Sequence, residues 1–160
     1  MEHWRIRPAV PGDEGRILEF VRALAAYERM EDQVVATEEL FRHWMFEKKT
    51  VEAVFVLDGD TEAGMALFFH NFSTFLGRGG IYLEDLFVLP EYRGRGCGKA
   101  LLRHLARLAL DRGCGRLEWA CLDWNAPSIR FYKGLSAQAM EEWTTYRLTG
   151  DSLRAMAGEN

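Results

Sequence analysis

A chain of 160 residues with 48% hydrophobic content suits one domain with a sizeable core and needs neither a disordered tail nor a second domain. Its formal charge of −4 argues against a nucleic-acid partner, which would show a basic face, and tolerates a cationic small molecule. Cys97, Cys114 and Cys121 cannot all pair and show no Cys-x-x-Cys spacing, so neither a disulfide framework nor a zinc site is indicated, no metal is expected, and a reducing cytoplasm is the expected home.

In chain order, Glu2, His3, Trp4 and Arg5 form no apolar leader, and no later apolar run approaches the ~20 residues that span a bilayer. A soluble protein without a membrane partner is expected. Residues 3–8 read as a first strand, Trp4 and Ile6 on one face and Arg5 and Arg7 on the other. Pro11-Gly12 turns the chain. Asp13 is placed to cap a helix in which Ile17, Val21 and Leu24, widened by Leu18, Phe20 and Ala25, form an apolar stripe as far as Tyr27. The acidic run Glu28, Glu31 and Asp32 that follows reads as a solvated helix end, with one wall of a cationic pocket as the alternative.

Thr37 before Glu38 and Glu39 starts a second helix, whose Leu40, Phe41, Trp44 and Met45 are expected to pack inward. Residues 51–57 and 64–69 have strand character and predict a hairpin around Asp58-Gly59-Asp60. Residues 71–80, with Phe72, Phe75, Gly77, Gly79 and Gly80, read as a loop that either folds over a site or buries locally. Residues 81–89 form the next strand, stopped by Pro90. A turn with alternate glycines then enters a helix over 100–110, with Leu101, Leu105 and Leu108 in one apolar row and Gly113 as the stop. Residues 116–122 are a strand that, joined to 81–89 through a helix, must run parallel to it. Asn125 caps a helix carrying Ile129, Phe131 and Tyr132. A last strand over 143–148 and a short terminal helix or arm over 152–157 complete the chain.

The turn Arg93-Gly94-Arg95-Gly96-Cys97-Gly98-Lys99 carries the chemistry. Without Cβ atoms at its glycines, an anion can approach the main chain, and the helix that follows adds its positive end. It is not a Walker loop, because Arg93 stands where the first glycine is needed and Ala100 where Ser or Thr is needed. It is not a dinucleotide fingerprint either, because Lys99 occupies the third glycine position.

Arg93-x-x-Gly96-x-Gly98 resembles the pyrophosphate loop of the GNAT superfamily of acyl-CoA-dependent N-acetyltransferases, and Asn125-x-Pro127-Ser128-x-x-Phe131-Tyr132 resembles its second signature. Tyr27-Glu28-x-Met30-Glu31-x-Gln33-Val34 and Tyr82-Leu83-Glu84-Asp85-x-Phe87-Val88 are similar to the spermidine/spermine (diamine) and thialysine N-acetyltransferases. The resemblance covers essentially the whole chain. It implies an α/β (α+β) fold with a mixed, strongly twisted sheet, flanking helices, and acetyl-CoA held where the fourth and fifth strands splay apart. Leu86, Phe87 and Val88 would align the pantetheine, Arg93, Gly94, Arg95, Gly96, Cys97, Gly98 and Lys99 would hold the pyrophosphate, and Asn125 and Ser128 would approach the cofactor from the far side.

An amine with a pKa near ~10 must lose its proton before it attacks a thioester, and a partly desolvated carboxylate can take it. The resemblance implies Glu84 as that base, directly or through water, and Tyr132 as the acid for the leaving thiolate, with a strand N–H near Phe87 or Val88 meeting the oxyanion. Asp85 is expected on the opposite face, as a supporting or structural acid. Cys97 sits near a helix N-terminus, where a thiol pKa can fall, but fills a variable position of the loop and is not expected to act as a nucleophile. Tyr27, Glu28, Glu84, Glu118, Trp119 and Ala120 would line the acceptor. The expected function is acetyl transfer from acetyl-CoA to a small cationic polyamine or diamine by a homodimer. The alternatives are a thialysine, lysine-analogue or protein amino-group acetyltransferase and, in another class, a non-catalytic acyl-CoA sensor. The family pattern departs at one point: Ser136 stands where glycine is expected four residues after the tyrosine, and Gly134 lies two positions earlier. His3, His43, His70 and His104 are scattered and read as surface or packing residues.

Overall fold

The computed structural model describes residues 4–159 and divides at Leu122/Asp123 into two compact units. The first holds β1 (Arg5–Pro8), α1 (Glu14–Tyr27), α2 (Glu38–Arg42), β2 (Glu52–Asp58), β3 (Thr61–Ser73), β4 (Arg78–Val88), α3 (Cys97–Asp111) and β5 (Leu117–Trp119). The second holds α4 (Ala126–Gly134) and α5 (Gly150–Met156). The strands form one sheet in the order β1-β2-β3-β4-β5, antiparallel up to β4 and parallel between β4 and β5. This is the expected mixed α/β class, and the parallel pair follows from joining two strands through a helix. His3, which opens the first predicted strand, lies outside the described residues.

Residues 53–57 of β2 are buried without a break, the mark of a strand covered on both faces. On one face Ala53, Phe55 and Leu57 meet Met65, Leu67 and Phe87 of the neighbouring strands, together with Ile17 and Phe20 of α1 and Met45. The alternate residues Val54, Val56, Ala66 and Phe68 are buried on the other face, as are Leu101 and Leu105 of α3. Each of those two leucines contributes about 1.5–3 kcal/mol by leaving water. The apolar row predicted for α3 is therefore the one that seats it, and Gly113, at φ +72°, ends it.

Helix starts follow their cap residues unevenly. Thr37 accepts from the Leu40 N–H (3.2 Å) and Asn125 from the Ser128 N–H (3.4 Å), as expected. Asp13 occupies the cap position of α1 but makes no cap bond, because its carboxylate instead pairs with both terminal nitrogens of Arg7 (2.8 and 3.1 Å) and with the Val10 N–H (2.8 Å). A bidentate ion pair with arginine outweighs a single cap bond to a backbone N–H. Beyond α2 the helix widens into a π-helical turn over His43–Glu47. Only one narrow stripe of so short an element faces the core. Met45 is buried and Phe41 packs beside it, whereas Leu40 and Trp44, expected inside, are 47% and 48% exposed.

The predicted loop over 71–80 is instead the end of a long hairpin. Ser73 pairs with Arg78 and Asn71 with Gly80, closed by a turn in which Gly77 takes φ +68°. The glycines do not break the strand here, because a Cβ at Gly80 would meet the Asn71 side chain at 2.5 Å. The strand predicted over 116–122 shortens to three residues, which leaves Ala120 beyond its end. The last predicted strand, 143–148, is absent: the segment has no ladder partner among the described residues, and Trp143 and Tyr146 are 78% and 92% exposed. Of the helix or arm expected at the end of the chain, the helix forms, as α5.

Ser136, where the resemblance expects glycine, adopts φ +67° and closes α4, the Ala137 N–H reaching back to the Tyr132 carbonyl (3.2 Å). The left-handed turn is thus retained with a residue that carries a steric penalty of roughly 1–2 kcal/mol there. Replacing Ser136 by Gly is expected to stabilise the chain by about 0.5–1 kcal/mol net of the added unfolded-state entropy. A rise of about 1–4 °C in Tm would register it.

Candidate active site

The site is organised by an irregularity in β4. Phe68 of β3 pairs with Leu83 and Leu67 with Asp85, so Glu84 is the extra residue of a β-bulge. Pairing with β5 also stops at this point, being confined to Ile81, Tyr82 and Leu83 against Leu117, Glu118 and Trp119. From Glu84 to Val88, β4 has β3 on one edge and no β5 partner on the other. The Leu89 N–H donates to the Ala63 carbonyl (2.9 Å), which turns the alternating main-chain groups of Leu86 and Val88 toward the open edge. Phe87 turns its main chain toward β3, where its carbonyl would collide at 2.7 Å with any Cβ on Gly64. Of the two N–H groups suggested for an oxyanion, that of Val88 therefore faces the gap.

Three carboxylates lie around the bulge without a cation or hydrogen-bond donor among the described residues. Glu84 is exposed. Asp85 is partly buried, and burial, with the charges of Glu84 and then Glu28, pushes its carboxyl up to about 6. Glu28, which ends α1 beside Tyr27, is also raised by burial. The alternation expected for Glu84 and Asp85 is disturbed by the bulge, and the property that base chemistry needs, a carboxyl drawn toward neutrality, is found at Asp85. Sequence spacing offered no signal for this. Tyr82 is raised by burial and by the charges of Glu84 and Glu118. Glu118 differs from the other acids in having its own partners, Asn71 at 3.1 Å and Arg116 at 3.6 Å, which satisfy much of its charge. Trp119 ends β5 opposite Leu83.

After β4 a 3₁₀ turn over Pro90–Tyr92 leads into the glycine loop. Gly94 (φ +74°) and Gly96 (φ +91°) adopt backbone that side chains disfavour, and nothing lies within 4 Å of where a Cβ on Gly94 would sit. The main chain is bare at that position, as a phosphate cradle requires. α3 starts at Cys97, earlier than predicted, because Gly98 and Lys99 fit its first turn. Cys97 is buried and its thiol is raised by burial rather than lowered by the helix end, so only its main chain is available to the loop. Trp4 holds the loop from just before β1: its Nε1 donates to the Arg95 carbonyl (3.0 Å), and the Arg95 guanidinium lies over the Trp4 and Tyr92 rings at 5.4 and 5.1 Å. A contact spanning 91 positions leaves no local trace in the sequence. Arg93 lies over Tyr27 and Phe87.

In the second unit, Asn125 is buried and its side chain orders the first turn of α4 through Ser128. Tyr132 lies on the same helix, partly buried, its ring 5.6 Å from that of Phe131. No helix is long and apolar enough to cross a membrane among the described residues.

Comparison with known proteins gives the arrangement a context. The acetyltransferase (GNAT) family model matches residues 17–136, across the junction of the two units. The chain is 39% identical to the thialysine N-epsilon-acetyltransferase of Bos taurus, over 96% of this chain and 97% of that protein. It is 33% identical to the L-ornithine N5-acetyltransferase NATA1 of Arabidopsis thaliana, over 95% and 87%, and 28% identical to the spermidine/spermine N(1)-acetyltransferase-like protein 1 of Homo sapiens, over 99% of this chain and 24% of that protein. Among solved structures, an integron cassette protein from the mobile metagenome of V. cholerae superposes with a TM-score of 0.80 at 26% identity, over 98% and 99% of the two chains. A Clostridium acetobutylicum protein described as a predicted acetyltransferase, solved with acetyl-CoA, gives 0.74 at 17% identity, over 90% and 96%.

Proposed function

The chain belongs to the acetyltransferase (GNAT) family and is an N-acetyltransferase, and from that membership we propose that its acceptor is the terminal amine of a small, multiply cationic molecule. The observation that carries this is the trio Glu28, Glu84 and Asp85, three carboxylates without a counter-charge, one of them held at about 6. Such a group is costly unless a cation completes it. The relatives named for thialysine and ornithine, amines that also carry a carboxylate, support a diamino acid as the acceptor. The acidic surroundings themselves, and the spermidine/spermine relative, favour a polyamine as the second choice.

The family uses acetyl-CoA, and the residues present suit it. The main chain of Leu86 and Val88 faces an open edge, and Gly94 leaves a cradle that a side chain would fill. The loop residues Arg93 to Lys99 would hold the pyrophosphate through N–H groups, and Asn125 and Ser128 are the residues of α4 that the family resemblance assigns to the cofactor. When bound, acetyl-CoA supplies the thioester. Glu84 takes the proton of the acceptor ammonium, directly or through water, while Asp85 beside it keeps the surroundings anionic. The Val88 N–H would meet negative charge developing at the open edge of β4, and the Tyr132 hydroxyl would supply the proton that a leaving thiolate needs. We further propose a cytoplasmic homodimer that uses no nucleic acid, supported by the acidic composition and by the exposed Trp143 and Tyr146.

A panel of amines assayed for release of the CoA thiol tests the reading. Thialysine, ornithine or spermidine is expected to exceed a peptide bearing a free N-terminal amine by at least tenfold in kcat/KM, a difference of about 1.4 kcal/mol in transition-state binding. A preference for the peptide would overturn the small-acceptor reading, and tight CoA binding with no turnover on any amine would point to a sensor.

A further inference from the structure

The motif assigns Arg93 to the phosphate, yet its side chain is engaged elsewhere. Its Nε donates to the Val88 carbonyl (3.0 Å), one of the main-chain groups on the open edge of β4. Its guanidinium carbon lies 5.1 Å from the centroid of the Phe87 ring and 5.2 Å from that of Tyr27. Phe87 is a core residue, packed edge-on against Phe20 of α1, and so is fixed. Tyr27 is the last residue of α1, half-exposed, and the next residue is Glu28. The arginine thus reaches from the start of the glycine loop to the end of α1, with a buried ring on one contact and a more exposed ring on the other. None of the described residues accepts from its two terminal nitrogens, which leaves the outer prongs of the fork for an oxyanion.

We propose that Arg93 is a positioning residue that couples the glycine loop to the acceptor wall: an anion held by the loop completes the bonds of the guanidinium, fixes its plane, and through the stacked ring fixes Tyr27 and Glu28 for the amine. This rests on the acetyl-CoA reading above. It adds that filling the cofactor site strengthens binding at the acceptor site, and by linkage the reverse. The planar fork is essential, because a lysine would supply charge to the phosphate but could neither stack between the rings nor bridge the Val88 carbonyl and the anion.

The test is calorimetric titration of thialysine into the full chain, without and with saturating CoA, which cannot turn over. Wild type is expected to bind the amine about 5–10-fold more tightly with CoA present. In Arg93→Lys that ratio should fall to near one while CoA affinity changes by less than about threefold. Tyr27→Phe keeps the ring and should keep the ratio, whereas Tyr27→Leu should lose it, and this pair decides the matter if the arginine variant does not fold. A ratio that survives in Arg93→Lys while CoA affinity collapses would make Arg93 a plain phosphate ligand. A lowered melting temperature with an unchanged ratio would make it a structural tie, and either result overturns the proposal. Wild type that binds CoA and amine independently overturns the coupling alone. Wild type that binds no CoA overturns the acetyl-CoA reading and the coupling with it.

Discussion

Glu84→Gln is expected to lower kcat by about 10²–10⁴-fold, the range for a lost general base, with CoA affinity changed little. The amine arrives more than 99% protonated at neutral pH for a pKa near ~10, and glutamine cannot take that proton. The bulge places Glu84, the extra residue of β4, without a ladder partner and exposed at the point where β5 ends, beside Asp85, whose carboxyl is the one drawn toward neutrality. Tyr132→Phe should show a similar split, with kcat reduced and CoA binding retained, because only the hydroxyl is removed. If both variants kept wild-type turnover at every pH, the assigned roles would be wrong.

Asp85→Asn is expected to give a more stable and less active protein. The Asp85 carboxyl titrates at about 6 in the folded chain, against an ordinary value of 3.8, because burial and the neighbouring Glu84 and Glu28 charges oppose ionisation. Between these values the folded state keeps a proton that the unfolded state has released. Stability therefore falls as pH rises through that window, and the cost is complete above it. The full cost is up to about 3 kcal/mol, from a displacement of about two pH units at 1.36 kcal/mol each. The variant should exceed wild type by roughly that amount in denaturant unfolding at pH 7.5, and the advantage should shrink to about 0.5 kcal/mol near pH 4 and vanish below about pH 3. In kinetics, kcat/KM of wild type should rise as pH passes through about 6, as Asp85 gains the charge that attracts the amine. The variant should lack that limb. An equal stability difference at both pH values would remove the electrostatic explanation.

The device that runs from β4 through the loop into α3 was legible because its signals are local. Pro90 ends a strand, alternate glycines make a turn, and leucines at helical spacing make a buried row. Thr37 and Asn125 were legible as caps for the same reason. What escaped depends on partners that sequence does not name. A bulge at Glu84 exists only relative to the register of β3, and the burial of Asp85 follows from it. Gly79 and Gly80 read as loop residues, yet Phe72 and Asn71 across the hairpin hold them in a strand. The expected strand over 143–148 had strand composition, but composition without a hydrogen-bonding neighbour makes no strand. Asp13 was a cap candidate until Arg7 offered a stronger bond. Trp4 fixes the Arg95 carbonyl from the other end of the unit.

The site residues follow the same division. The loop glycines, Glu84 and Tyr132 came from motif positions, whereas the two contributions unique to the folded chain are the elevated Asp85 and the stacked Arg93. Both sit between the places expected for cofactor and acceptor. Neither could be assigned by residue type, since an aspartate on a strand and an arginine before a glycine turn have ordinary solvated roles elsewhere.

The central claim is that uncompensated carboxylates at the β4 bulge recognise an acceptor by its second positive charge. The most direct measurement compares kcat/KM for 1,5-diaminopentane and for pentylamine, which differ by one ammonium, in wild type and in the Glu28→Gln, Asp85→Asn double variant. Wild type should favour the diamine by at least about tenfold, or 1.4 kcal/mol, and the double variant should bring the ratio close to one. The same ratio in both proteins would contradict the claim.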